Sequence, residues 1–350
     1  MKANRLAFEN SFITWIKTFL PTKSELVQKT RLLAMVVFGS ILLTPLVKSL
    51  PLLGWDWFYY FTAHNPELNL YLPNSVYPPY TRLFIDLFTW LDWRTSFALL
   101  CSLTFMTLAI CTWQAGGRWL SIFLALFNPP IIMLLWVGHP DGLAMLGVLT
   151  GFIPLALIKP QITIWTALTN RKWFFWTSAF LLISNLIWPL WSMRLVNFAG
   201  GIIEYREVLF TNEATIGWAV MGWPIAVVGI ALLLGAGSDP LRLMAAGSFI
   251  SPYLMPYHLA ILSPAIGAAK GWKKALIWIC SIYVWLGTGL GQWAKLLIFL
   301  YPLAVFWGTL SAAEYRQNLR ARFAQFRQLL VHFTRKQKKI ISKPSMEQEL

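Results

Sequence analysis

The sequence predicts an all-α integral membrane protein: a multispan helical bundle of about ten spans, several of them short and broken. Three observations carry this. The 350 residues are 57% hydrophobic and only 12% charged, with a mean hydropathy of +0.58, whereas soluble domains carry roughly 25% charged residues. The apolar residues form long uninterrupted runs, not the alternation of a barrel strand, and the helix is the other structure that satisfies backbone polar groups in lipid. The basic residues crowd at the two ends and in short turns. A net charge of +15 first suggests nucleic acid, but this placement suits membrane topology and anionic lipid. No nucleic-acid partner is expected.

Taken in order, residues 1–31 carry six Lys/Arg, with Leu6, Phe12, Trp15, Ile16 and Phe19 near helical spacing; a helix lying on the inner leaflet is expected. No cleavable signal is apparent, because the first apolar run begins only at Leu32. That run, Leu32 to about Leu53, is the first span. A polar and aromatic loop over 54–81 follows, without Lys or Arg, and Arg82–Leu91 is a short amphipathic stretch along the outer interface. Spans are expected at about 95–113, 119–137, 142–158, 173–193, 216–235, 241–253, 255–268, 273–290 and 293–312. A less regular segment covers 159–170. The outer loops are 54–94 and 194–215.

The tail, 313–350, carries nine Lys/Arg, and Tyr315, Leu319, Phe323, Phe326, Leu330 and Phe333 share one helix face. This reads as a basic amphipathic helix on anionic inner-leaflet lipid. Of the 29 Lys/Arg, six fall at or near the outer side: Lys48, Arg82, Arg94, Arg194, Arg206 and Lys295. The positive-inside rule therefore puts both termini in the cytoplasm. Cys101, Cys111 and Cys280 lie inside apolar runs and read as buried thiols.

The signatures of soluble enzymes are missing: no Gly-rich phosphate loop, Gly-x-Ser-x-Gly, His-Glu-x-x-His, paired cysteines or Asp-x-Asp. What the threading does collect is polar residues near the outer side. Asp56 follows the first span, and Tyr77-Pro78-Pro79-Tyr80-Thr81-Arg82 closes the same loop. Gly138-His139-Pro140-Asp141 tops the third span. Glu204, Tyr205 and Arg206 sit in the later loop, and Tyr257-His258 tops the short pair. Ionisable groups near membrane depth are costly, so a cluster of them is a functional hypothesis. The bland readings are a solvated loop carboxylate at Asp56, helix-end capping by His139 and Asp141, an interior histidine at His258, and a rigid turn at Tyr77–Tyr80.

The order of these motifs resembles the multispan glycosyltransferases of the GT-C superfamily, and most closely glycosyltransferase family 87, the polyprenyl-phosphate-mannose-dependent mannosyltransferases. The acidic residue after the first span and the Tyr-Pro-Pro carry the resemblance first. Asn128-Pro129 with Gly138-His139, Lys159-Pro160 with Arg171-Lys172-Trp173, and Ser251-Pro252-Tyr253 with Tyr257-His258 continue it, over residues 32–312. The family usually has Gln where His139 stands, and the stretch before Lys159-Pro160 is shorter here. The family's lysine faces the outer site, whereas the threading puts Lys159 near the inner face. Either 142–158 is a broken, re-entrant pair or Lys159 has lost that role.

The resemblance implies inverting transfer of a mannose-like sugar from a polyprenyl-phosphate carrier to a glycan or glycolipid acceptor, at the outer face of a plasma membrane of bacterial type. Asp56 is the implied base. Arg82, His139, Asp141, His258, Tyr80 and Lys159 are the implied substrate-binding residues, with no metal and no cofactor beyond the lipid-linked sugar donor. The alternatives are a non-catalytic scaffold or assembly subunit of the same fold, and a transporter.

Overall fold

The computed structural model describes residues 18–51, 53–61, 77–189, 191–193, 197, 200–201, 215–289, 291–311, 313–321 and 324. Among them every regular element is helical, and the only β-pairing is an isolated bridge between Ile216 and Leu254.

Helix α1 (Lys23–Lys48) starts nine residues before the predicted apolar run. The cause is a capping box: Thr22 Oγ1 accepts from Glu25 N at 3.2 Å, and Glu25 Oε2 accepts from Thr22 N at 2.8 Å. The basic residues Lys23, Lys29 and Arg31 therefore ride on the same helix as the apolar run. Helix α2 (Trp93–Gln114) is capped by Asp92, whose carboxylate accepts from Thr95 N at 3.1 Å. The two run antiparallel: Lys48 meets Asp92 and Thr95, Thr44 meets Ser102, and Gly39 leaves room for Met106. The outer face of α1 is apolar, with Phe38 and Leu42 each 66% exposed. That face suits lipid, not water.

Helices α3 (Trp119–Leu126) and α4 (Pro129–Val137) form one apolar unit bent by 47° at Asn128-Pro129. Gly138, in the left-handed region at φ +86°, ends it. Helix α5 (Asp141–Thr150) is ten residues long, about 15 Å, and stops at Gly151. The chain then doubles back through the single turn Ile153–Ala156, so close to α5 that a Cβ on Gly147 would lie 2.0 Å from the Ala156 nitrogen. The predicted span 142–158 is thus a broken hairpin. Short helical turns lead from Lys159 to Asn170, which caps α6 (Arg171–Ile187).

After the turn Trp218–Met221 come α7 (Trp223–Gly235) and α8 (Pro240–Ile250). The chain reverses at Ser251-Pro252-Tyr253, held by the Ile216–Leu254 bridge, and returns as a 3-10 turn, Pro256–Leu262, and Ala265–Ala268. Helices α9 (Lys273–Gly289) and α10 (Leu300–Thr309) close the bundle. The paired helices are α1 with α2, α2 with α5, α7 with α8, α8 with α10 and α9 with α10. One continuous apolar core joins them.

Two described helices, α1 and α2, are long and apolar enough to cross a membrane on their own, and counting each sharply bent pair as one span raises the number to four. That is fewer than the ten predicted. The difference lies in helices of 17 residues or fewer, including α5 and α7, that hydropathy alone counts as spans. The tail begins as a helix over 313–321, docked on the bundle by Tyr315 against Gly235 and by Asn318, which donates to the Gly235 carbonyl at 3.0 Å. The rest of the predicted tail helix, the N-terminal helix through residue 17 and Glu204, Tyr205 and Arg206 lie outside the described residues.

Candidate functional site

Two turns distant in sequence come together at one point. Gly138-His139-Pro140-Asp141 joins α4 to α5, and Tyr257-His258 opens the return from α8. Gly142 packs on Thr104, the twelfth of the 22 residues of α2, so Asp141 sits at mid-length of the bundle. Carboxylates are rarely buried without partners. Here Asp141, 1% exposed, has three.

His139 Nδ1 lies 2.9 Å from Asp141 Oδ1, and His258 Nδ1 lies 2.7 Å from Oδ2. Lys159 Nζ stands 3.5 Å from Oδ1. A carboxylate only accepts, so both histidines donate from Nδ1 and each keeps its Nε2 lone pair. Tyr77 bridges the remaining ends: Lys159 Nζ donates to its hydroxyl at 2.6 Å, and that hydroxyl donates to His139 Nε2. The Lys159 ammonium also lies 4.2 Å from the centre of the Tyr77 ring, a cation–π contact. One ammonium, one carboxylate, two neutral imidazoles and a phenol thus form a closed, charge-balanced network. His139, Lys159 and His258 are all buried with Asp141, and Phe61 and Tyr257 pack edge-on or tilted against the His139 ring.

Asp56 is at the rim. Its neighbour Trp57 is fully buried, donates from Nε1 to Ser96 Oγ at 2.9 Å and stacks edge-on with Phe88, which pins the start of the loop to α2. Gly54 and Gly138 allow the close approach: both have positive φ, and a Cβ on Gly138 would lie 2.8 Å from the Gly54 Cα. The Asp56 carboxyl is half-buried and interacts electrostatically with Lys159 and Tyr77. Burial strips its water and pushes its pKa up to about 6, and the Lys159 charge offsets only part of that rise. Tyr77, Tyr253 and Tyr257, all partly exposed, share the rim.

His139, Asp141, His258, Lys159 and Asp56 therefore converge, and Lys159 is corrected from the inner face to the cluster, because the chain turns back at Gly151 instead of crossing. Two residues do not join. Arg82 is paired with Asp86 one turn away and reaches the Phe61 carbonyl at 3.5 Å. Tyr80 is buried in a separate apolar cluster with Leu157 and Trp191, and its hydroxyl donates to the Leu157 carbonyl at 2.7 Å, so it offers no stacking face to a sugar. Tyr77 is the residue that sequence reasoning passed over as part of a rigid turn; the Tyr-Pro-Pro motif held the signal, one hydroxyl earlier than the choice of Tyr80.

His139, Asp141 and His258 also have metal-donor chemistry, with ligand atoms within 4.8 Å of one another. This set is not legible in the sequence, because His258 is 117 residues from Asp141. The Lys159 ammonium already stands against the same carboxylate, and a divalent ion bound there would face its charge across a few ångströms. The residues therefore fit a built-in cation better than a second one. Comparison with known proteins finds no matching family, no similar curated protein and no similar solved structure.

Proposed function

We propose that this chain is an inverting glycosyltransferase of the GT-C type that uses a polyprenyl-phosphate sugar, with Asp56 as general base. The observation that carries the reading is the placing of a half-buried carboxylate, poised near pH 6, on the rim of a buried lysine–histidine–aspartate network. In this reaction the Asp56 carboxylate takes the proton of an acceptor hydroxyl. The freed oxygen attacks the anomeric carbon, the bond from that carbon to the phosphate oxygen breaks, and polyprenyl phosphate leaves with the electron pair. A base with a pKa near the working pH suits the first event. The departing phosphate needs positive charge near its growing charge, and the Lys159 ammonium, which stands against the Tyr77 ring, supplies it. Asp141 orients His139, His258 and Lys159 and is a positioning residue. The scheme calls for no metal.

The site opens on the outer face in this reading, with membrane lipid, the lipid-linked donor and a glycan or glycolipid acceptor as partners. Asp56→Asn is expected to cut sugar transfer by about 10²- to 10⁴-fold while leaving the folded yield in detergent unchanged. Full activity in that variant would exclude the mechanism. A second reading, transport, is favoured by the two irregular stretches that meet at the network, Gly138–Asp141 and Ser251–His258, since irregular backbone at membrane depth lines pathways. It predicts substrate movement across vesicles without any new glycosidic bond.

A further inference from the structure

A cavity lies at the other end of α5, about 15 Å from Asp141 by the length of that helix. Its volume is about 600 Å³, and it is an open recess lined by the start of α1, the turn at Gly151 and α6 as far as Ile183. The walls are mainly apolar and aromatic, from Phe152, Trp173 and Phe180, and Trp176 closes one side by donating from Nε1 to the Phe19 carbonyl at 2.9 Å.

Two cations enter this greasy space. Lys172 is committed to Glu25 at 3.3 Å. Lys29 is not: half-buried, it has no hydrogen-bond or ion-pair partner among the described residues. Its ammonium lies over Gly151, where a Cβ would come within 2.5 Å of Nζ and where the backbone is at φ +70°. Bare backbone at 151 is thus what lets the ammonium reach the cavity. An unneutralised ammonium in an apolar recess calls for an anion. An apolar wall of this size calls for an acyl chain beside it, and basic pockets between membrane helices take anionic head groups.

We infer that this cavity binds one anionic phospholipid, its phosphodiester on Lys29 and an acyl chain along Trp173 and Phe180. The site is separate from the proposed transferase centre and stands or falls without it. The test uses the full chain in nanodiscs of phosphatidylcholine alone or with one tenth phosphatidylglycerol, followed by detergent extraction and native mass spectrometry. One retained phosphatidylglycerol per chain is expected. Lys29→Gln, which removes the charge, and Ala179→Phe, which fills the cavity wall while keeping the charge, are each expected to lower retention at least tenfold. Both variants should retain the wild-type unfolding midpoint in phosphatidylcholine discs, which separates a lost ligand from a lost fold. Retention unchanged in both variants overturns the site. If inorganic phosphate added to phosphatidylcholine discs raises the midpoint as much as phosphatidylglycerol does, and Lys29→Gln abolishes that rise, the anion is a soluble phosphate and the lipid assignment falls.

Discussion

Asp141 shows how much one side chain can hold in place. Removing it leaves a lysine buried without its counter-charge and two imidazoles without their acceptor. Breaking a buried pair from one side costs about 3–5 kcal/mol, so Asp141→Ala is expected to lower the thermal midpoint in detergent by several degrees; an unchanged midpoint would show that the network carries no strain of charge. Asp56 predicts differently with pH. Its folded pKa, about 6, is above the ordinary 3.8, so the folded chain holds a proton there that the unfolded chain gives up. The stability this contributes is complete below about pH 3.8 and disappears as pH rises through about 6. Relative to Asp56→Asn, the wild type should therefore lose ground in midpoint from pH 4 to pH 7, while sugar transfer rises over the same interval as the base ionises. A transfer rate flat across pH 6 would remove Asp56 from the base role.

At the level of elements, the decisive feature is the hairpin of α5 and Ile153–Ala156. Gly147→Val would drive a branched side chain into the returning backbone, which a Cβ alone already meets at 2.0 Å from the Ala156 nitrogen. Overpacking of this kind costs about 1–3 kcal/mol, and here it also pushes Lys159 from Asp141, so loss of transfer should accompany the lower midpoint; a variant that keeps both refutes the hairpin. Legibility in the sequence followed the same line. Long helices such as 93–114 and 273–289 were found within about two residues, because an apolar run bounded by turn residues defines them locally. Residues 142–158 looked like one span because hydropathy records composition, not direction, and a chain that turns back inside the bundle stays as apolar as one that crosses. Gly151 and Pro154 marked the break without saying where the chain went next. Tyr77 was hidden for a related reason: its partners stand 62 and 82 residues away, and only the fold brings them to one hydroxyl.

Over the whole molecule, charge and apolar surface agree with each other. The first helix carries Lys23, Lys29 and Arg31 at one end and Lys48 at the other, and the tail leaves the bundle beside Arg242, which pairs with Glu314 at 3.6 Å. Reporter fusions at the two chain ends are expected to show both on the cytoplasmic side, and opposite locations would refute the even span count. The short, bent helices have a bearing on biogenesis. A ten-residue helix that opens with a carboxylate is a poor substrate for a translocon, which releases long apolar segments sideways into the bilayer. Asp141 leaves the ribosome 117 residues ahead of His258, so for about a third of the synthesis of this 350-residue chain it stands without its second imidazole. The nascent chain must shelter it against α2 until the later half arrives, and truncated products ending before His258 should be the ones that membrane quality-control proteases remove first.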